Sequence, residues 1–290
     1  MMTVKTNLPE TPDDLERYQP NSFDEIVGNH ELKEFLQDMI YGVRVKGHKS
    51  GFNMLTTGPS RDGKTAAITL AVKALLCCNL DLESMKPCGV CENCKSRHHM
   101  NGTGEWNSIV DFSDTPELNP MPVRFHYYPI DCTWVNSERI EELITKLRID
   151  DGNLKIVYLD EVHRLSRRWM DERLLKPIEM YPAIWMASSA IVEKEGDDDD
   201  QKIDKMFQNR FSYRIKTQRP ITKEMLGWLV ARCKQFGITT EDNGETLMRL
   251  VERSNHSPGM ALQVLNKAHK KRKPILTMKM VEEHIFDFDE

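Results

Sequence analysis

The chain has 290 residues, 39% of them hydrophobic and 29% charged, which suits one large or two ordinary soluble domains. A formal net charge of −5 gives no whole-molecule attraction to nucleic acid, and no run approaches 18 apolar residues, so the sequence excludes a helical membrane span. The polar start "MMTVKTNLPETPDDLERYQP" has no apolar stretch of a secretory signal. A reducing, intracellular setting is therefore expected, in which the seven cysteines serve as thiols or metal ligands and not as disulfides.

The first 20 residues read as loosely structured. Leu32, Phe35, Leu36, Met39 and Ile40 then recur at helical spacing. "FNMLTT" is a short apolar run suited to a buried strand. A helix follows from about Lys64 to Cys77, with Ala67, Ile68, Ala71, Ala74 and Leu75 on one face. "RFHYYPID" (124–131), "LKIVYLD" (154–160) and "AIWMASSAIV" (183–192) read as further strands, and "SERIEELITKLRI" reads as a helix capped by Ser137. Strands alternating with helices predict an open, mainly parallel sheet. After "TQRP" (217–220) come four amphipathic helices with no strand between them, so a boundary is expected near Gln218, with one domain at 1–217 and another at 218–290. There is no internal repeat.

"GPSRDGKT" (58–65) matches G-x-x-x-x-G-K-[ST]. Gly58 and Gly63 let the backbone curl so that N–H groups face phosphate oxygens. Lys64 reaches the β- and γ-phosphates of ATP in this reading, Thr65 offers its hydroxyl to Mg²⁺, and the helix dipole favours the negative charge. Asp62 within such a loop should repel a nucleotide, so it is expected to point to solvent. In "KIVYLDEVHRLS" an apolar strand ends in two carboxylates at the edge of the sheet where ligands bind. Asp160 is expected to hold the Mg²⁺ shell and Glu161 to polarise the attacking water.

Cys88, Cys91 and Cys94 are each separated by two residues, the bite of C-x-x-C for one tetrahedral Zn²⁺. A fourth ligand is required. Cys77 and Cys78 are candidates, with His98 and His99 behind them. All-sulfur coordination implies a structural site. Cys132 and Cys233 read as buried thiols. The basic stretches "KSRHH" (95–99), "HRLSRR" (163–168) and "HKKRK" (269–273) read as solvated surface, and "EGDDDDQKID" (195–204) reads as an exposed loop.

Together these motifs resemble the clamp-loader ATPases of the AAA+ class, and most closely the gamma/tau family of bacterial DNA polymerase III. That family carries a four-cysteine zinc module straight after its P-loop helix, and "PCGVCENC" looks like its last three ligands. Counting along the helix puts the first ligand on Cys77; loop length favours Cys78. "RYQPNSFDEIVGNHELKEFL" is similar to the family's N-terminal box, and "LDEVHRLS" to its Walker B segment. "LLKPIEMYP" followed by "WMASSA" resembles the approach to sensor 1, which falls on Ser189. "FQNRFSYRI" occupies the place of the Ser-Arg-Cys motif, making Arg210 the arginine finger for a neighbouring subunit. The resemblance covers roughly residues 15–285. It implies an α/β fold, a P-loop AAA+ parallel sheet with a zinc module inserted at about 77–100 and a small all-helical lid behind it.

Four departures stand out. Asn209 and Phe211 flank Arg210 where the family has Ser and Cys. Gly259 occupies the place of the sensor 2 arginine. About twenty extra residues, including "TPELNPMPVRFHY", precede the strand at 124–131. The family's helical collar has no counterpart in these residues, so the chain alone is expected to be mainly monomeric, with very low ATPase activity until partners are added. What the resemblance implies is an ATP-hydrolysing subunit, using ATP, Mg²⁺ and Zn²⁺, that works with other clamp-loader subunits, a sliding clamp and primer–template DNA and has no membrane role. The alternatives are a non-hydrolysing structural subunit of the same machine, and a collarless ATPase with another DNA-linked task such as helicase loading.

Overall fold

The structure is a computed structural model, and it describes residues 15, 18–48, 50–95, 109–110, 125–166, 171–190, 203–242 and 244–284. It divides into two compact units. One is Pro20–Gln218, and the other is Arg219–Glu290 together with the described residues before Pro20.

In chain order the first unit contains α1 (His30–Arg44), β1 (Asn53–Thr57), α2 (Lys64–Leu76), α3 (Glu92–Lys95), β2 (Ile109–Val110), β3 (Phe125–Asp131), α4 (Ser137–Arg148), β4 (Leu154–Asp160), α5 (His163–Ser166), α6 (Asp171–Met180), β5 (Ile184–Ser189), α7 (Lys205–Gln208) and β6 (Tyr213–Lys216). The sheet order is β2-β3-β4-β5-β1-β6. All neighbours pair parallel except β2 with β3.

Alternation along the strands sends successive side chains to opposite faces. Met54, Ile156, Tyr158 and Met186 join the apolar cluster under α1 and α2. Leu55, Val157, Leu159, Trp185 and Ala187 join the cluster under α4, α6 and α7. Both faces are covered, which is why β4 and β5 read as continuous apolar runs. The chain steps from β3 to β4 to β5 and then crosses β1 to reach β6. The loop after β1 therefore opens at the carboxyl edge of the sheet, between β5 and β6, where such sheets take ligands.

The N-cap of α4 is Asn136, not Ser137: the Asn136 Oδ1 accepts from Arg139 N–H at 3.0 Å. The sequence also gave no reason to expect β6, whose four residues bury only Ile215.

The second unit holds α8 (Thr222–Phe236), β7 (Thr239–Thr240), α9 (Glu245–Arg253), α10 (Pro258–His269), β8 (Ile275–Leu276) and α11 (Met278–Glu282). β7 and β8 pair in parallel over two residues each, where the sequence reading had no strand. A two-residue pair is too short to carry a periodicity. Before Pro20, Leu15 N–H donates to Asn266 Oδ1 at 3.0 Å, and the Tyr18 ring meets Phe236 edge-on at 5.4 Å. These residues thus belong with the helical unit and not, as the sequence reading had it, with the domain assigned to 1–217.

Candidate functional site

The loop Gly58–Gly63 joins β1 to α2. Gly58 has φ +150, and a Cβ there would lie 1.9 Å from Thr217 Oγ1, so only glycine fits. Thr217 is pinned beside it, donating its N–H to Thr57 O at 2.7 Å. Gly63 takes φ +88 as the N-cap of α2. Lys64, only 6% exposed, folds back into the loop and donates to the carbonyls of Gly58 at 2.7 Å and Pro59 at 2.5 Å. Burial lowers its pKa, and the charges of Asp62, Glu161 and Asp160 oppose that shift. Thr65 is exposed in the first turn of α2.

Asp62 does not point to solvent: it is 2% exposed. Its backbone carbonyl accepts from Asn29 Nδ2 at 2.7 Å. Asn29 Oδ1 in turn accepts from Gln218 N–H at 3.2 Å. The Asp62 charge thus stays close enough to Lys64 to favour its ammonium form. No motif singled out Asn29 or Thr217, because their contacts cross 33 to 189 residues.

At the end of β4, Asp160 and Glu161 face the same edge. Asp160 is pushed above the usual carboxylate range by burial, against which hydrogen bonds from Ser188 and Tyr158 act. Tyr158 Oη donates to Asp160 Oδ1 at 3.0 Å, and Ser188 Oγ donates to the same oxygen. Glu161 holds φ +56, a left-handed backbone that costs a non-glycine residue of order 1 kcal/mol. Burial and the Asp160 charge raise its pKa, while the Ala190 N–H and Lys64 lower it. His163 is 4% exposed, so this part of the "HRLSRR" stretch is core and not solvated surface. Its Nδ1 lies 3.1 Å from Ser189 Oγ and 3.3 Å from Glu161 Oε2. One imidazole thereby links the sensor 1 candidate to the base candidate. Lys64, Asp160, Glu161 and Ser189 are brought together.

Arg210 is not among them. It stands three residues before Tyr213, at the amino edge from which β1 and β6 both start, whereas the phosphate loop leaves the opposite edge. Its Nη1 lies 2.9 Å from Glu179 Oε1 on α6. Gly259 is the second residue of α10, in the helical unit.

The sulfurs of Cys77, Cys88, Cys91 and Cys94 all lie within 4.8 Å of one another. Cys78 is outside this set. Cys88 and Cys94 Sγ are 3.9 Å apart. Tetrahedral Zn–S bonds of ~2.3 Å set sulfurs about 3.8 Å apart, so the four fit a zinc ion. Backbone N–H groups of Cys88 and Cys91 point at the sulfurs of Cys77 (3.2 Å) and Cys88 (3.4 Å). The adjacent Cys94 side chain pulls the Cys77 thiol down to about 5.

Cys77 is also the C-cap of α2. Buried Arg44 donates to the carbonyls of Ala74 (3.2 Å), Leu75 (2.8 Å) and Cys77 (2.7 Å), and Asn93 Nδ2 donates to that of Leu76 at 2.7 Å. The orphan carbonyls of the helix end are thus satisfied by protein groups. His98, His99, Arg167, Arg168, the residues between 111 and 124 and most of the acidic run lie outside the described residues. Cys132 and Cys233 are buried thiols raised by burial, Cys233 to about 11. Lys270, Lys271, Arg272 and Lys273 are exposed.

The fold is that of P-loop AAA+ proteins: a parallel sheet with helices on both faces, a four-cysteine cluster inserted after the P-loop helix and a small, mainly helical domain behind it. Among solved structures the chain is similar to RuvB of Thermotoga maritima, a Holliday junction branch migration motor, at 14% identity and a TM-score of 0.58, covering 93% of this chain and 72% of that one. It is similar to PCH-2 of C. elegans at 14% identity and a TM-score of 0.55, covering 90% and 70%. Among curated proteins it is similar to Protein STICHEL-like 1 of Arabidopsis thaliana, 27% identical over 175 residues, 60% of this chain and 13% of that protein. Protein STICHEL-like 2 is 27% identical over 164 residues, 52% and 18% of the two chains. The chain thus spans less than a fifth of these curated relatives. No family model matches it. Among the described residues no helix is long and apolar enough to cross a membrane.

Proposed function

We propose that the chain is an ATP-hydrolysing clamp-loader subunit that helps place a sliding clamp on primed DNA. The observation that carries the reading is the convergence of Lys64, Asp160, Glu161 and Ser189 at one end of α2, with a zinc-shaped cysteine cluster at the other. Lys64 and the loop N–H groups bind the phosphates. Thr65 and Asp160 would hold Mg²⁺, which neutralises phosphate charge. Glu161, held by Ala190 N–H, orients and polarises the attacking water, and Ser189 contacts the terminal phosphate. Arg210, remote from its own site, serves a neighbour's nucleotide. The cysteine cluster would hold one Zn²⁺ as a structural ion.

Other loader subunits, a clamp and primer–template DNA are the partners this reading requires. ATP turnover should rise when a cognate clamp and primed DNA are supplied together with the other subunits. Turnover indifferent to clamp and primed DNA would overturn it. The fold shared with the branch migration motor RuvB favours a second reading, another DNA-linked motor task. Stimulation by branched DNA without a clamp would select it.

A further inference from the structure

Tyr158 is 0% exposed in the middle of the sheet, and its ring belongs to the apolar cluster under α2. Its hydroxyl is what packing alone does not require, since phenylalanine would fill nearly the same volume without a polar group to satisfy. That hydroxyl donates to Asp160 Oδ1 at 3.0 Å and lies 3.1 Å from Ser188 Oγ. Residues two apart on a strand share a face, so β4 sets Tyr158 beside Asp160. The parallel register of β5, with Met186 opposite Tyr158, brings Ser188 level with Asp160. Thr65 stands in the first turn of α2, one residue after Lys64. Two donors on Oδ1 fix the rotation of the carboxylate and leave Oδ2 as its outward oxygen. Thr65 and Asp160 supply hard oxygen donors, the chemistry that suits Mg²⁺.

We propose that Tyr158, with Ser188, is a positioning residue that orients the Asp160 carboxylate toward the divalent cation carried by the nucleotide. The inference rests on the ATP-site reading above. It predicts that the tyrosine hydroxyl matters for nucleotide bound with Mg²⁺ and not for nucleotide bound without it.

The test titrates a fluorescent ATP analogue into wild type and Tyr158→Phe, in excess Mg²⁺ and in EDTA. Wild type should bind tighter with Mg²⁺. In Tyr158→Phe that gain should shrink by about tenfold, the scale of a lost hydrogen bond to a charged group, while the affinity in EDTA stays at the wild-type value. Ser188→Ala should cut the same gain, and it carries the test if Tyr158→Phe fails to fold. An undiminished Mg²⁺ gain in both variants overturns the proposal. So does a parallel fall in both affinities, which would mark a merely structural role. A wild type whose nucleotide binding ignores Mg²⁺ overturns the ATP-site reading itself, and this inference with it.

Discussion

The guanidinium of Arg210 is paired with the Glu179 carboxylate of α6, Nη1 to Oε1 at 2.9 Å. Both side chains are partly exposed, 27% and 50%, so the pair is worth about 0–1 kcal/mol and yields readily to a better partner. A phosphoryl group in transfer is such a partner, because an arginine fork matches its oxygens. Arg210→Ala should leave nucleotide binding to its own site unchanged and remove most of the stimulated ATPase rate. Mixing Arg210→Ala with Lys64→Ala subunits tests the geometry, since a working site should regain turnover from a neighbour's intact Arg210. Full stimulated activity with Arg210 absent from every subunit would exclude the role.

Lys64→Ala should abolish tight ATP binding, read by direct titration. Gly58→Ala acts differently. Its methyl meets Thr217 Oγ1 at 1.9 Å in a backbone conformation that L residues rarely adopt. The strain should destabilise the chain by about 1–3 kcal/mol, visible as a lower melting temperature before any nucleotide is added.

Glu161→Gln should keep ATP bound and slow hydrolysis by about 10²–10⁴-fold, because only the water-polarising carboxylate is lost. Its stability effect has the opposite sign. The folded pKa of Glu161 is raised, so ionisation is disfavoured in the folded chain relative to the unfolded one. Stability from this group is therefore highest at low pH and is lost as pH rises from the ordinary carboxylate range of about 4.3 through the raised folded value. Glu161→Gln should melt higher than wild type at neutral pH, and the difference should vanish in acid. Thermal unfolding across pH reads both limbs.

The four-cysteine site should bring close to one equivalent of zinc through purification without chelator. Cys77→Ser should lose the metal and melt lower, since binding and local folding are coupled. Cys78→Ser should keep it. Metal analysis of the two variants separates a site closed by Cys77 from one closed by its neighbour.

The strand, loop and helix around Lys64 were legible because that chemistry is written locally, in eight consecutive residues. The same holds for Asp160 and Glu161 at the end of an apolar run. Choosing Cys77 over Cys78 needed three dimensions, because adjacent residues at a helix end point in different directions. Asp62 was misread because the burial of one loop side chain is set by the packing around it, which no local pattern encodes. His163 hid inside a stretch that looks basic and solvated. Tyr158 and Ser188 could not be paired without the register of β4 against β5. Leu15 and Tyr18 join the helical unit through contacts that span more than 200 residues, which no local pattern encodes.

Helix ends ordinarily fray, opening turn by turn at little cost. The far end of α2 is closed to that motion, because Arg44 and Asn93 hold its last carbonyls and Cys77 ties it to the cysteine knuckle. Thirteen residues make a rod about 20 Å long. The helix that starts at the phosphate loop is therefore anchored at its far end by side chains and sulfurs, so its two ends are joined by a stiff element and not by a fraying one.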